Sequence, residues 1–413
     1  MADIIPFSAI RPRADLAQEI AALPYDVFDR EEARRFVEEH PGSFLAIDRP
    51  ETQFPPDHDM YAPEVYAKAH DLLWQSIENG RFIREDRPAY YLYEQTFRGH
   101  VQTGIVACSS IDDYLSGVIK KHENTRSDKE EDRVRHVDAC DAQTGPIFLC
   151  FRRQAEISAI VEKWRAVEPV YSFTSHDGTE NRIFIINESS DIDRIRKVFQ
   201  AMDAIYIADG HHRCASAVRV GRMRREAAGG APVPGDHFLA VLFPEDELRI
   251  LDYNRVVRDL NGRTPEEFLE ALRGIFTVEG SESAVSPEMK GVFGMFLGGR
   301  WYRLTAREEK RVDDAVEGLD VALLQREVLE PLLGISDPKT DKRIDFVGGI
   351  RGLGELERRC REDMQIAFSM HPTSLQELFA VADEGRLMPP KSTWFEPKLL
   401  SGLFIHDITG EGL

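Results

Sequence analysis

The chain has 413 residues, with 52 Lys and Arg against 72 Asp and Glu, a formal charge of −20. At roughly 150 residues per domain this length predicts two or three domains, and 42% apolar residues suffice to bury a core. So acidic a chain is not expected to offer a nucleic-acid or anionic-membrane platform, because both partners are polyanions; any anion must meet a local basic pocket.

The opening MADIIPFSAIRPR carries Asp3 and Pro6 and lacks the apolar stretch of a signal peptide. No apolar run approaches the roughly 18 residues of a membrane span. Cys108, Cys140, Cys150, Cys214 and Cys360 are scattered, with no C-x-x-C pair. They read as small apolar fillers in a reducing, cytoplasmic compartment, with zinc ligation as the alternative.

In chain order, Asp29 with Glu32 opens a short helix by the capping-box pattern. Residues 63–79 place Val65, Ala69, Leu72, Leu73 and Ile77 at helical spacing, closed by Gly80. Strands are expected at 89–97, 103–111, 146–151, 182–187, 204–209, 237–243, 292–297, 301–306 and 365–370. Thr264, Pro265 and Glu267 form a cap, a first-turn proline and an acid at the third helical position, ahead of Phe268, Leu269 and Leu272. Gly298-Gly299 reads as a two-residue hairpin turn, and 373–385 repeats the helix pattern with Leu375, Leu378, Phe379 and Ala382. Residues 227–236 read as a surface loop, and 280–291 as a loose linker separating the last third of the chain. Hairpins in mixed order predict an α+β fold in three parts: an N-terminal region 1–100, a central domain 101–252 and a C-terminal α+β domain 253–413.

The sharpest local signal is IYIADGHHRCASAVRVG, 205–221. An apolar strand ends at Asp209, Gly210 permits a tight turn, and His211, His212 and Arg213 begin a helix. A helix N-terminus with free N–H groups and an arginine favours phosphate or carboxylate. The alternatives are a metal site, which adjacent histidines about 100° apart on a helix do not easily share, and a capped helix whose histidines bond to backbone. In KKHE (120–123), Lys120 and Lys121 offer charge for phosphate and Glu123 a general base; the charged run 127–135 beyond it reads as a solvated helix. LMPPKSTWFEPK (387–398) sets Lys391, Ser392 and Thr393 after a rigid double proline, with Trp394 and Phe395 read as core. DAQTGPIFLCF (141–151) reads as a turn, with Thr144 and Gly145, into a buried strand. DPKTDKRIDFVGG (337–349) reads as a surface loop. No P-loop, Rossmann fingerprint, protein-kinase motif set or G-x-S-x-G elbow is present.

DGHHR after an apolar strand resembles the signature of the ParB/sulfiredoxin-like superfamily, in particular its free serine kinase branch. The order IDDYLSGVIKKHE, GPIFLCF, IYIADGHHRCASAVRVG follows that pattern, and HFLAVLFPEDELRILDYNR and the closing EGRLMPPKST extend it. The likeness covers about 103–151 and 205–400, with an insertion at 152–203 and no counterpart for 1–100. The whole chain also resembles the bacterial DUF1015 family. The resemblance implies a ParB/sulfiredoxin-like nucleotide-binding core and transfer of phosphate from ATP or ADP to free L-serine. It places Glu123 as the catalytic glutamate, Asp209 near the phosphates and Mg²⁺, and Gly210, His211, His212 and Arg213 on the phosphate-binding turn. Lys391, Ser392 and Thr393 fall on the substrate segment.

Two other readings compete: a ParB-type nucleotide-dependent DNA-binding protein, against which stand G-H-H-R in place of G-E-R-R and the charge of −20, and a silent nucleotide-binding regulator. Sulfiredoxin chemistry would need a cysteine where His211 stands. A homo-oligomer is compatible with the sequence. Two basic islands, 208–226 at net +3 and 386–400 at net +2, coincide with the segments assigned to phosphate and substrate, so the expected ligand is a small phosphorylated molecule; the small amino-acid substrate is what the resemblance implies.

Overall fold

The structure, a computed structural model, describes residues 1–125 and 127–410; Arg126, one of the basic residues of the run after Lys120, and residues 411–413 lie outside the described residues. The fold is a mixed α+β one. Packing divides the chain into two units: Met1–Leu248 with the segment from Pro397 on, and Arg249–Glu396.

In the first unit, Asp29 accepts from the Glu32 N–H at 2.8 Å while Glu32 accepts from the Asp29 N–H at 2.9 Å, which starts α1 (Arg30–Glu39). α2 (Pro63–Glu78) follows. Their inner faces, Ala33, Val37, Ala69 and Leu73, bury against Phe44, Cys140 and Ile405. Residue 405 is there because the chain's end returns to this unit: Ala22 bridges Ser401, Ile10 bridges Ile405, and His406–Asp407 pairs with Ala142–Gln143.

Among the described residues the central sheet has nine strands. In chain order they are β1 (Ile4–Ile5), β2 (Tyr90–Phe97), β3 (His100–Ser110), β4 (Ile119–Lys120), β5 (Ile147–Phe151), β6 (Tyr171–Thr174), β7 (Glu180–Ile186), β8 (Ile205–Asp209) and β9 (His237–Pro244). Their order across the sheet is β4-β8-β5-β9-β3-β2-β7-β6, with β1 alongside β3. Between them run α3 (Ser127–Cys140), α4 (Ala155–Arg165), α5 (Ser189–Gln200) and α6 (His211–Ala227). Ile157 and Ile160 of α4 and Ile195 and Phe199 of α5 pack with Leu92, Ile105, Leu149 and Ile207 of the sheet. Each is a large aliphatic or aromatic side chain, worth about 1.5–3 kcal/mol when fully buried.

The second unit holds β10 (Tyr253–Val257), α7 (Pro265–Leu272), β11 (Phe276–Ser281), β12 (Val292–Leu297), β13 (Arg300–Ala306), β14 (Ile344–Gly348), α8 (Leu353–Glu362), β15 (Ile366–Ser369) and α9 (Leu375–Asp383). The sheet order is β11-β13-β12-β15-β10-β14, antiparallel throughout. Gly298 and Gly299, at φ +59° and +78°, turn β12 into β13 as a primed hairpin requires.

Three sequence expectations are corrected. The stretch 280–291 is no linker between units: it joins β11 to β12 within one sheet. The second half of 337–349 is not loop but β14, whose Ile344 and Val347 are buried against β10. The run 127–135 is not a solvated helix: α3 buries Asp132, Arg133 and Val134. Charge counting misses this because Asp132 and Arg133 answer one another at 2.9 Å and Tyr66 Oη donates to Asp132 at 2.9 Å, so the charges go inward as a pair.

Candidate functional site

β8 ends at Asp209 and α6 begins at His211. Gly210 between them sits at φ +84°, ψ 32°, a left-handed conformation that glycine adopts without strain. Among the described residues no side chain caps α6, so its 17 residues present the first-turn N–H groups and the positive dipole end beside Asp209. The Gly210 N–H donates to Asp209 Oδ1 at 2.8 Å. Lys398, carried in by the returning C-terminal segment, donates to Asp209 Oδ2 at 2.8 Å. Burial alone would raise the Asp209 carboxyl. Lys398, then Arg213 and the Gly210 N–H, outweigh it and hold the group well below the usual carboxylate range.

β4 runs parallel to β8, with Ile119 opposite Ile205 and Lys120 opposite Tyr206. Glu123 lies three residues past Lys120, as Asp209 lies three past Tyr206, so the register brings the KKHE segment alongside the Asp209–Gly210 turn. Glu123 and Lys120 are half-buried. Lys121 is exposed, its Nζ 5.9 Å from the Tyr114 ring centre. His122 is buried and meets His211 edge-on, the ring centres 4.5 Å apart at 89°.

Burial pushes His122 down to about 4, against the pull of Asp209. Burial, followed by His122, pushes His211 well below the ordinary histidine value. Both rings are therefore neutral at pH 7. His211 Nε2 finds no hydrogen-bond partner among the described residues. His406, buried against the Pro234 carbonyl, is likewise pushed down to about 4 by burial. Linkage fixes the sign for His122 and His406: the unfolded chain protonates these two rings near pH 6.5 and the folded chain near 4. The stability they contribute is present above about 6.5 and lost as the pH falls towards 4, by up to about 3 kcal/mol each. Urea unfolding at stepped pH is expected to show this decline, and His122→Asn to flatten it; an unchanged slope would reject the buried neutral ring.

Arg213 is half-buried and donates through Nη1 to the Pro146 carbonyl at 3.1 Å. A Cβ at Gly145 would lie 3.1 Å from both Arg213 Nη1 and Ser401 Oγ, so these side-chain ends would have to give by a few tenths of an ångström. His212, half-exposed, lies between His211 and Arg213 in the first turn of α6.

The basic islands are mostly spent elsewhere. Arg219 pairs with Glu131, Arg222 with Glu226, Arg224 with Asp138 and Asp141, Arg225 with Asp112 and Asp236, and Arg386 with Asp314 and Glu384. Of the arginines in 208–226, Arg213 alone acts on the turn in this way. Sequence reasoning counts Lys398 only towards local charge and does not single it out, because 189 residues separate it from Asp209.

Lys391, Ser392 and Thr393 belong to the second unit. Lys391 sits at φ +60°, its carbonyl accepting from Arg255 Nη2 at 2.9 Å and its Nζ 5.5 Å from the Tyr253 ring centre. The Ser392 hydroxyl is buried and donates to the Pro389 carbonyl at 2.6 Å. Thr393 is half-buried. Trp394 and Phe395 lie in a short strand, Trp394–Glu396, paired with Arg249–Leu251.

All five cysteines are free, four of them buried. Among the described residues no group of three or more His, Cys, Asp or Glu side chains gathers to hold a metal, and no helix is long and apolar enough to cross a membrane.

Solved structures similar to this chain include a free serine kinase in complex with AMP (13% identity, 71% of this chain and 86% of that one, TM-score 0.34). Two others are SbnI with a C-terminal truncation from Staphylococcus aureus (12%, 71% and 85%, TM-score 0.38) and a conserved hypothetical protein from Pyrococcus furiosus (12%, 72% and 94%, TM-score 0.33). Likeness at this level carries no argument about function. No curated protein matches the chain. The family described as "Protein of unknown function (DUF1015)" matches residues 4–322, a span that includes the Asp209–Gly210 turn, the KKHE segment and the N-terminal helices, and the chain belongs to that family.

Proposed function

We propose that the chain is a cytoplasmic phosphotransferase with a ParB/sulfiredoxin-like nucleotide-binding core. It moves a phosphoryl group from ATP or ADP to the hydroxyl of a small amino acid, L-serine in the first instance. The observation that carries this reading is the Asp209–Gly210 turn: an uncapped 17-residue helix N-terminus flanked by Lys398, with KKHE in register beside it. Such a terminus accepts phosphate through backbone N–H groups, and phosphoryl transfer asks mainly for positioning and charge neutralisation.

In this reading the Gly210 turn and the N–H groups of His211, His212 and Arg213 cradle the phosphates, and Lys398, Lys120 and Lys121 supply positive charge. Glu123 accepts the proton of the acceptor hydroxyl. The acceptor oxygen forms its bond to phosphorus as the bond from phosphorus to the nucleotide's bridging oxygen breaks, and the nucleotide leaves one phosphate shorter. The donor set suits Mg²⁺ that arrives with the nucleotide rather than a resident ion, since among the described residues no group of three or more His, Cys, Asp or Glu side chains gathers around Asp209; once bound, the ion would neutralise charge on the transferring phosphate. Lys391, Ser392 and Thr393 are assigned to the substrate in the same reading.

Phosphorus NMR of the full chain with Mg²⁺, L-serine and either ATP or ADP is expected to show O-phosphoserine. Absence of product with both donors, while nucleotide binds, would remove the reading. Glu123→Gln is expected to cut turnover by about 10²–10⁴-fold with nucleotide affinity within about twofold. A collapse of affinity instead would show that Glu123 holds the nucleotide and is not the base.

A further inference from the structure

Tyr91 and Tyr93 of β2 meet Phe404 of the returning C-terminal segment, the ring centres 5.3 and 6.2 Å apart. Gln95 points to the same face, since side chains alternate along a strand. It lies opposite Gln102 of β3 on one side and Asn181 of β7 on the other. Three fully buried amides therefore stand in a row across three strands of the first unit.

A buried amide must place both its oxygen and its N–H groups, and this row does so in one direction. Gln102 Nε2 donates to Gln95 Oε1 at 3.0 Å. Gln95 Nε2 donates to Tyr93 Oη at 3.2 Å and to the Lys398 carbonyl at 3.0 Å. Burial pushes the Tyr93 phenol up, so it keeps its proton and donates to Asn181 Oδ1 at 2.8 Å. Asn181 Nδ2 donates to the Thr179 carbonyl at 2.8 Å and to Ser175 Oγ at 3.0 Å. A backbone carbonyl can only accept, so the Lys398 and Thr179 contacts fix which end of each amide is nitrogen. The Tyr93 oxygen also takes the Leu400 N–H, so the row holds the returning segment at two alternate residues.

Lys398 is thus fastened at both ends. Its carbonyl is tied to β2 and its Nζ to Asp209 on β8, although β5, β9 and β3 lie between those strands in the sheet order. A lysine carries its charge on a flexible four-carbon stem, so the ammonium is placed only as well as the backbone beneath it. We propose that Gln95 is a positioning residue for Lys398: aligned by Tyr93 and Asn181, its amide anchors the Lys398 backbone so that the ammonium meets Asp209 at the turn. The assignment deepens the phosphotransferase reading and rests on it for what Lys398 does to a bound phosphate. It also gives part of the 152–203 insertion a role, since Asn181 and the 175–179 turn close the row.

Two measurements on the full chain test this, one of them without nucleotide. Amine acetylation of the folded chain, read lysine by lysine by mass spectrometry, is expected to be at least about fivefold faster at Lys398 in Gln95→Met than in the parent, because the segment opens locally. The exposed Lys163 and Lys197 are expected to react as before. Calorimetry with ADP is expected to show about fivefold weaker binding by Gln95→Met, and a Gln95→Met, Lys398→Met double variant within about twofold of Lys398→Met alone, since both changes act through one ammonium. A purely structural loss at Gln95 would instead add in full to that of Lys398→Met. Tyr93→Phe, which removes only the hydroxyl, is expected to move both readouts the same way and carries the test should Gln95→Met not fold. Unchanged acetylation of Lys398, or penalties on ADP that add in full, overturns the assignment. If acetylation rises but ADP binds none of the chains, or all of them alike, the phosphotransferase reading fails and the anchor stands.

Discussion

Arg133→Met is expected to lower the unfolding free energy of the first unit by about 3–5 kcal/mol, the range for a buried ion pair deprived of one partner. Arg133 is 7% exposed and Asp132 8%. With the guanidinium gone, the Asp132 carboxylate keeps the Tyr66 hydroxyl but loses the cation that made its burial tolerable. The contact over the Tyr25 ring goes as well, worth roughly 0.5–2 kcal/mol. Adding Asp132→Asn to the variant is expected to recover part of the loss, because an amide can sit beside Tyr66 without an uncompensated charge; the coupling between the two sites, about 0.5–3 kcal/mol, comes from the four-species cycle. Urea unfolding followed by signals of Trp74 and Trp164, which lie in this unit, provides the measurement. A loss below about 1 kcal/mol would mean that the pair is solvated after all.

That pair also marks where sequence reading stops. Elements governed by local rules are legible: Asp29 with Glu32 and Thr264 with Glu267 each cap a helix as their spacing predicts. In 373–385 the cap is Ser374 paired with Glu377. The apolar strands stand where expected because the run of buried side chains is written in consecutive residues. At the site, Asp209, Gly210 and Arg213 lie in one strand–turn–helix and are equally legible.

Lys398 is not, since its partnership with Asp209 spans most of the chain, and neither composition nor period encodes it. Arg133 is hidden by its neighbours, though a signal exists. Arg133, His136, Val137 and Cys140 recur at i, i+3, i+4 and i+7, the spacing of a buried helical face. A charge in that stripe points inward, and a count of charges alone reads it as outward. Thr144 and Gly145 read as turn residues, and the turn is real; what the sequence lacks is Asp48 and Arg213, which come to them from 96 and about 67 residues away.

Asp209→Asn and Lys398→Met are expected to move nucleotide affinity in opposite directions, and the pair of results separates a phosphate site from a merely structural ion pair. The Asp209 carboxylate lies beside the turn where the phosphates are proposed to sit, so in the absence of Mg²⁺ it repels them. Asn keeps an oxygen for the Gly210 N–H, removes the repulsion and releases Lys398 from its ion pair towards the ligand. ADP is expected to bind about fivefold more tightly without Mg²⁺, on the order of 1 kcal/mol for a partly exposed charge. The same change removes the one carboxylate proposed to hold Mg²⁺, so turnover with Mg²⁺ is expected to fall by at least about 10²-fold. Lys398→Met removes the cation and leaves the repulsion, and is expected to weaken ADP about tenfold at low salt, with the deficit shrinking as ionic strength rises. Calorimetry of both variants at low and high salt reads the affinities, and phosphorus NMR with Mg²⁺ reads the turnover. If the two variants weaken ADP equally, or leave it unchanged while lowering the melting temperature together, the Asp209–Lys398 pair only fastens the C-terminal segment to β8 and the phosphates lie elsewhere.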